Sequence, residues 1–195
     1  MNTDDDNTAG AATGGVFVSI SPSSGGAVRP LDPAHDSSAA VILAASTFAA
    51  TADAGLMVLR KARSDEANAV NAMTVGGEVV AVYITRKIPL SVEVTALAVA
   101  TDHRGQGYGR ACMTDALRRA GKLPLVVETD DDSLGFYKKC GFKLVGRRVT
   151  SDGRTRYRLG WHAPGLRFKG GSTASIAREA AASERAHDRA TTGEA

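Results

Sequence analysis

Three glycines at alternate positions, in Arg104-Gly105-Gln106-Gly107-Tyr108-Gly109-Arg110, stand directly after an apolar stretch and directly before a run with helical spacing. Residues with side chains rarely adopt the left-handed backbone that such a turn needs, whereas glycine adopts it freely. A strand that ends in a glycine turn and continues as a helix leaves backbone N–H groups at the helix start, where an anion can sit. The feature therefore commits this part of the chain to an alternating α/β arrangement. Taken alone, the turn is equally a tight corner with nothing bound.

Spacing narrows the anion. A Walker loop needs Gly-Lys-Ser or Gly-Lys-Thr after four intervening residues, and none follows. A dinucleotide fingerprint running through Gly107 and Gly109 needs glycine at position 112, where the chain has Cys112.

The remaining pattern supplies the other elements. Val28-Arg29-Pro30 reads as a short edge strand, a place that tolerates proline. Asp32 and Pro33 offer an N-cap and a first-turn proline for a helix expected to run to about Phe48. A second helix is expected over Asp53 to Arg63, then a polar loop over Ser64 to Asn71. Met73 to Val75, the Gly76-Gly77 turn and Glu78 to Thr85 read as a hairpin. Leu90 to Ala100 passes from alternation to near-continuous apolarity, as a strand covered on both faces does. A helix continues from the glycine turn to Gly121, Pro124 to Glu128 is a short buried strand, and Ser133 to Cys140 is a short helix. A last hairpin, Phe142 to Val149 and Arg154 to Trp161, turns at Asp152-Gly153. The order makes an α/β chain with a mixed sheet.

At 195 residues and 43% hydrophobic, the chain is large enough for one substantial core. Residues 1–26, rich in Gly, Ser, Thr and Asp, are expected to be a disordered arm, residues 27–162 the domain, and residues 163–195 a flexible tail. The N-terminal stretch lacks the basic start and apolar run of a secretory signal, and no run is long enough to cross a bilayer. A soluble, cytoplasmic protein without a membrane partner is expected. The net charge of +3 is too small to require nucleic acid. Cys112 and Cys140 are too few for a disulfide framework and too far apart for a zinc cluster, so both are expected to be reduced, partly buried thiols and no metal is expected.

Leu97-Ala98-Val99, four residues, then Arg104-Gly105-Gln106-Gly107-Tyr108-Gly109 resembles motif A of the GNAT superfamily of N-acetyltransferases, whose pattern is Gln/Arg-x-x-Gly-x-Gly/Ala. Phe136-Tyr137-Lys138-Lys139-Cys140-Gly141-Phe142 is similar to its motif B, and Val28-Arg29-Pro30 with Asp36 matches a common start. The resemblance covers about residues 27–161. It implies an α/β (α+β) fold with a mixed, mostly antiparallel sheet of about six to seven strands flanked by about four helices. It implies acetyl-CoA as cosubstrate, with the pyrophosphate on the amides of residues 105–110 and the charges of Arg104 and Arg110 beside it. Gln106 and Tyr108 are expected to face outward. The pantetheine arm would lie along Leu97, Ala98 and Val99, where a bulge usually splays this strand from the next. An amide near Val99 would polarise the thioester carbonyl.

The acceptor implied is an amine on a small molecule or a protein, and the family leaves room for a homodimer. An amine of pKa about 10 is protonated at neutral pH and must lose a proton before it attacks. Glu93, upstream of Leu97, falls where several members place a catalytic Glu; a strand Glu facing solvent or paired with a basic neighbour is the other reading, and Glu128 is the reserve. Tyr137 stands where the family has a Tyr near the coenzyme sulfur, suited to protonating the leaving thiolate, or else it packs on the sheet. Many members have Asn where this chain has Asp130, and Ala where it has Ser133, a position expected to touch the cofactor. Asp130 is expected to cap the helix that follows. A non-catalytic acyl-CoA-binding module with the same fold is the alternative function.

With Asp152-Gly153 as a two-residue turn, Ser151 would pair with Arg154, Val149 with Arg156 and Arg147 with Arg158. Arg147, Arg154, Arg156 and Arg158 would then share one face, as an acidic-acceptor site or simply as a solvated strand face.

Overall fold

A computed structural model describes residues 26–47 and 49–162; the expected arm, residue 26 apart, the expected tail and Phe48 lie outside the described residues. One seven-stranded sheet has the order β1-β2-β3-β4-β5-β7-β6. Its strands are β1 (Ala27–Pro30), β2 (Asn68–Val75), β3 (Glu78–Ile88), β4 (Ser91–Val99), β5 (Leu125–Thr129), β6 (Lys143–Val149) and β7 (Thr155–Trp161). Only β4 and β5 run parallel. The helices are α1 (Asp36–Ala44), α2 (Ala52–Arg63), α3 (Tyr108–Ala120) and α4 (Asp131–Lys139). This is the mixed, mostly antiparallel architecture that the resemblance implied.

Cover on both faces, expected of Leu90 to Ala100, is fullest in β3, buried from Val79 to Thr85, whereas β4 is only partly buried. Val82 and Ile84 pack with Leu43 of α1 and Leu59 of α2, while Val80 and Tyr83 pack with Cys112, Met113 and Leu117 of α3. Leu43 and Leu59 are fully buried, and each contributes about 2 kcal/mol of hydrophobic stabilisation. The two helices cross at Gly55, where a Cβ would stand 2.0 Å from the Ala40 carbonyl oxygen. An ion pair between Asp36 and Arg63, at 2.5 Å, closes the same pair of helices.

Three local features depart from the sequence expectation. Asp32 does cap, accepting from the Ala34 N–H at 2.9 Å, but it opens a single tight turn over Pro33–His35 before α1 begins at Asp36. At the other end, α1 stops at Ala44 because the Ser46 and Thr47 hydroxyls donate to the Leu43 and Ala44 carbonyls. The loop expected over Ser64 to Asn71 is shorter, since β2 starts at Asn68. Asn71 pairs with Pro30 on one side and Tyr83 on the other, so main-chain pairing in mid-sheet prevails over a polar composition.

The final hairpin is slipped by one residue. Val149 pairs with Thr155, and a five-residue loop over 150–154 replaces the expected two-residue turn. Thr150 and Arg154 close it through a 2.8 Å main-chain bond, and the Thr150 hydroxyl also hydrogen-bonds Asp152. A one-residue slip exchanges the faces of a strand. Arg147 therefore sits opposite Tyr157, and Arg148 takes its place opposite Arg156. The expected stripe is broken, and two of its four members are paired, Arg156 with Asp130 at 3.4 Å and Arg154 with Asp152 at 3.3 Å, while Arg148, outside the expected stripe, pairs with Glu128 at 2.8 Å.

Candidate active site

The sheet opens in its middle. β4 and β5 share three rungs, Val92 with Leu125, Glu93 with Val126 and Val94 with Val127. Immediately afterwards β4 bulges at Thr95, because Val94 pairs with Thr85 and Ala96 with Ile84. From there β4 continues along β3 to Val99, and β5 continues along β7 to Thr129. Among the described residues, the β5-side edge of Leu97, Ala98 and Val99 is thus left without a strand partner. A bulge at Thr95 is the splaying irregularity that the resemblance led us to expect, two residues before Leu97.

The glycine turn closes the far end of this opening. After a tight turn over Thr101–His103, Gly105 and Gly107 take φ of +77° and +89°, and Gly107 becomes the N-cap of α3. A Cβ at either would meet nothing within 4 Å, so the turn needs them for their conformation and leaves open space outside. The first bond of the helix runs from Ala111 N–H to Gly107 C=O at 3.0 Å. The amides of Gly109 and Arg110 therefore lie before the helix ladder, as an anion site requires.

Side chains of the turn behave less uniformly than their sequence suggests. Arg104 folds back, its Nε donating to the Val99 carbonyl at 3.3 Å, and Gln106 Nε2 donates to the Asp102 carbonyl at 3.1 Å. Tyr108 does not face outward; it is buried in the α3 core, its ring 6.0 Å from that of His103. Gly109 is a packing glycine rather than a left-handed one. Arg110 reaches Cys140 at the end of α4 and partly offsets the upward push of burial on that thiol.

Asp130 caps α4, accepting from the Ser133 N–H at 3.2 Å, which places exposed Ser133 in the first turn. One helical face later comes Tyr137, buried edge-on between Phe136 and Phe142 with ring centroids 5.0 and 5.7 Å away. Burial, then the charges of Cys140 and Asp130, push its phenol well above the ordinary value, so it stays a proton donor at neutral pH. Both candidate carboxylates are engaged. Glu93 takes Arg86 Nη2 at 3.1 Å across β3, and Glu128 takes Arg148 through two bonds of 2.8 and 3.1 Å. Glu93 stands one rung before the opening, on the strand face opposite Val94, and is joined there to a basic neighbour.

Sequence reasoning passed over one buried polar cluster. The Tyr83 hydroxyl donates to Asp115 Oδ2 at 2.6 Å, and Asp115 also accepts from Arg118 and Arg119, each at 2.6 Å. Burial alone would raise the Asp115 carboxyl, but hydrogen bonds from Tyr83, Arg119 and Arg118 outweigh it and hold the group below its ordinary range. A signal was there: Asp115 interrupts the buried stripe of Cys112, Met113, Ala116 and Ala120. No group of three or more metal-ligating side chains occurs among the described residues.

A mixed sheet split beside a glycine turn that carries neither a Walker loop nor a dinucleotide fingerprint defines the class of α/β domain. The profile of the Acetyltransferase (GNAT) domain matches residues 65–144, which include the split and both motifs. The peptidyl-lysine N-acetyltransferase YjaB of Escherichia coli is 43% identical over 58 residues, 29% of this chain and 40% of that protein. The uncharacterized N-acetyltransferase YvbK of Bacillus subtilis is 33% identical over 76 residues, 35% of this chain and 49% of that protein. The chain thus spans less than half the length of either curated relative. The structure of an aminoglycoside 6'-N-acetyltransferase complexed with coenzyme A superposes with a TM-score of 0.59 at 13% identity, over 70% of this chain and 96% of that one. Residues 65–144 thus resemble the GNAT domain, and the fold is that of the solved acetyltransferase.

Proposed function

We propose that this domain binds acetyl-CoA in the β4/β5 opening and transfers the acetyl group to an amine. The observation that carries the reading is the opening itself, which begins one rung past Glu93, runs along Leu97 to Val99 and ends on the glycine turn. Open space at Gly105 and Gly107 and a strand edge without a partner fit a long, phosphate-tipped ligand. The main chain of Leu97, Ala98 and Val99 would hold the pantetheine arm. The amides of residues 105–110, with Arg110 and Ser133 nearby, would hold the phosphates. Arg104 and Gln106 would act by bracing the turn.

When bound, acetyl-CoA supplies an acetyl group activated as a thioester. Tyr137 Oη makes no hydrogen bond among the described residues and keeps its proton at neutral pH, so it can deliver that proton to the departing sulfur. Glu93 would take the proton of the acceptor ammonium, directly or through an ordered water, with Arg86 orienting the carboxylate. The N–H near Val99 would face the carbonyl oxygen of the acetyl group. The relative YjaB is named for peptidyl-lysine, an amine acceptor of the kind proposed. No helix among the described residues is long and apolar enough to cross a membrane; the cytoplasm as the site of the activity is part of the proposal.

The ion pairs at Glu93 and Glu128 favour a second reading, an acyl-CoA-binding module without turnover. A free-thiol release assay with acetyl-CoA and pooled amines separates the two. Amine-dependent thiol release supports the enzyme; binding of acetyl-CoA with no release from any amine supports the module.

A further inference from the structure

Asp115 is an unusual occupant of its site. It lies on the buried face of α3, about two turns from the glycine turn, in a position where an apolar residue would serve packing as well or better. Tyr83, its partner, is wholly buried in the central strand β3. An apolar interface lets a helix slide or roll by small amounts, whereas a 2.6 Å hydrogen bond to a carboxylate admits one register. The other end of the link is equally definite, since Tyr83 pairs with Leu97 across β3 and β4. One hydrogen bond thus connects the helix that starts at the glycine turn to a strand rung inside the β4/β5 split. Arg118 and Arg119 keep Asp115 an acceptor. Burial, followed by the hydrogen bond to Asp115, keeps the Tyr83 phenol protonated and therefore a donor.

We propose that Tyr83 and Asp115 are positioning residues for coenzyme A, setting the distance between the phosphate cradle at residues 105–110 and the pantetheine edge at Leu97 to Val99. This rests on the reading of the opening as the coenzyme A site. A ligand that bridges both half-sites gains from correct spacing, and a ligand that fills only one does not.

Calorimetric titration of the full chain tests the proposal. Tyr83→Phe should weaken coenzyme A roughly tenfold while leaving the affinity for its nucleotide diphosphate half, which lacks pantetheine, unchanged. Asp115→Asn keeps an acceptor for the Tyr83 hydroxyl and should bind coenzyme A within about twofold of wild type. Leu43→Ala, on the opposite face of the sheet, should lower the melting temperature at least as much as Tyr83→Phe without altering either affinity. If Tyr83→Phe does not fold, the double variant Tyr83→Phe/Asp115→Leu replaces the pair with apolar groups and carries the same comparison. Wild-type affinity for coenzyme A in the Tyr83 variants, or an equal loss for both ligands, overturns the positioning role. Failure of the wild-type chain to bind coenzyme A overturns the functional reading beneath it.

Discussion

Gly109 and Phe136 meet backbone to ring: a Cβ at Gly109 would stand 3.3 Å from two carbons of the Phe136 ring and 3.5 Å from Val99 Cγ2. The start of α3, the end of β4 and the middle of α4 therefore converge on one missing side chain. Phe136 belongs to the second motif and Gly109 to the first, so the two motifs are parts of one packing unit. The glycines of the turn consequently do different work, although the sequence presents them as equivalents.

Substitutions at those glycines should separate. Gly109→Ala forces Phe136 to give by a few tenths of an ångström and should cost about 1 kcal/mol of stability, read by thermal unfolding. Gly107→Glu meets open space but a φ of +89°, and it puts a carboxylate into the anion site. Calorimetry should show coenzyme A binding abolished in Gly107→Glu and largely kept in Gly109→Ala. Lost binding in Gly109→Ala at wild-type stability would contradict the packing role.

Tyr137→Phe keeps the ring between Phe136 and Phe142 and removes only the proton donor. Steady-state kinetics should show kcat lowered about 100-fold with the KM for acetyl-CoA nearly unchanged. An unaltered kcat would remove Tyr137 from the chemistry.

Stability should fall at both extremes of pH. Tyr83 and Tyr137 are raised in the fold, so above the unfolded value of about 10 the unfolded chain releases protons that the folded chain retains, and stability declines as pH rises. Asp115 is lowered, so its contribution is complete above the unfolded value of about 4 and is lost as pH falls through the folded one. Thermal melts across pH should show both limbs, with the acid limb shallower in Asp115→Asn.

Cys112 and Cys140 are buried more completely than a sequence reading suggested. Burial, then the charge of Asp115, pushes the Cys112 thiol up to about 12, so almost no thiolate exists at neutral pH. A disulfide reagent should label neither cysteine in the native protein and both after denaturation. Rapid native labelling of Cys112 would show that α3 opens from the sheet.

Much of the fold was legible because its elements announce themselves locally. The apolar run of β3, the glycine turn and the Asp130 cap each depend on residues close in sequence. Most of what escaped depends on distant partners. Asn68 to Asn71 became strand because β3 pairs with all four and β1 reaches Asn71; the last hairpin escaped for a local reason, its five-residue loop setting the register. At the site, Tyr137 and the turn were readable as chemistry, but the engagement of Glu93 by Arg86 appears only once β3 and β4 are paired, and that of Arg104 by Val99 only once the turn folds back on the strand end. Tyr83 and Asp115, far apart in sequence, become partners only when α3 lies on the sheet.

Amide hydrogen exchange with and without coenzyme A tests the central claim most directly, because it reports where the ligand sits as well as whether it binds. Binding in the β4/β5 opening predicts slowed exchange in two separate segments, residues 97–99 and residues 105–110, with little change in β1 and β2. Unchanged exchange in both segments at saturating coenzyme A, or protection confined to another part of the sheet, would contradict it.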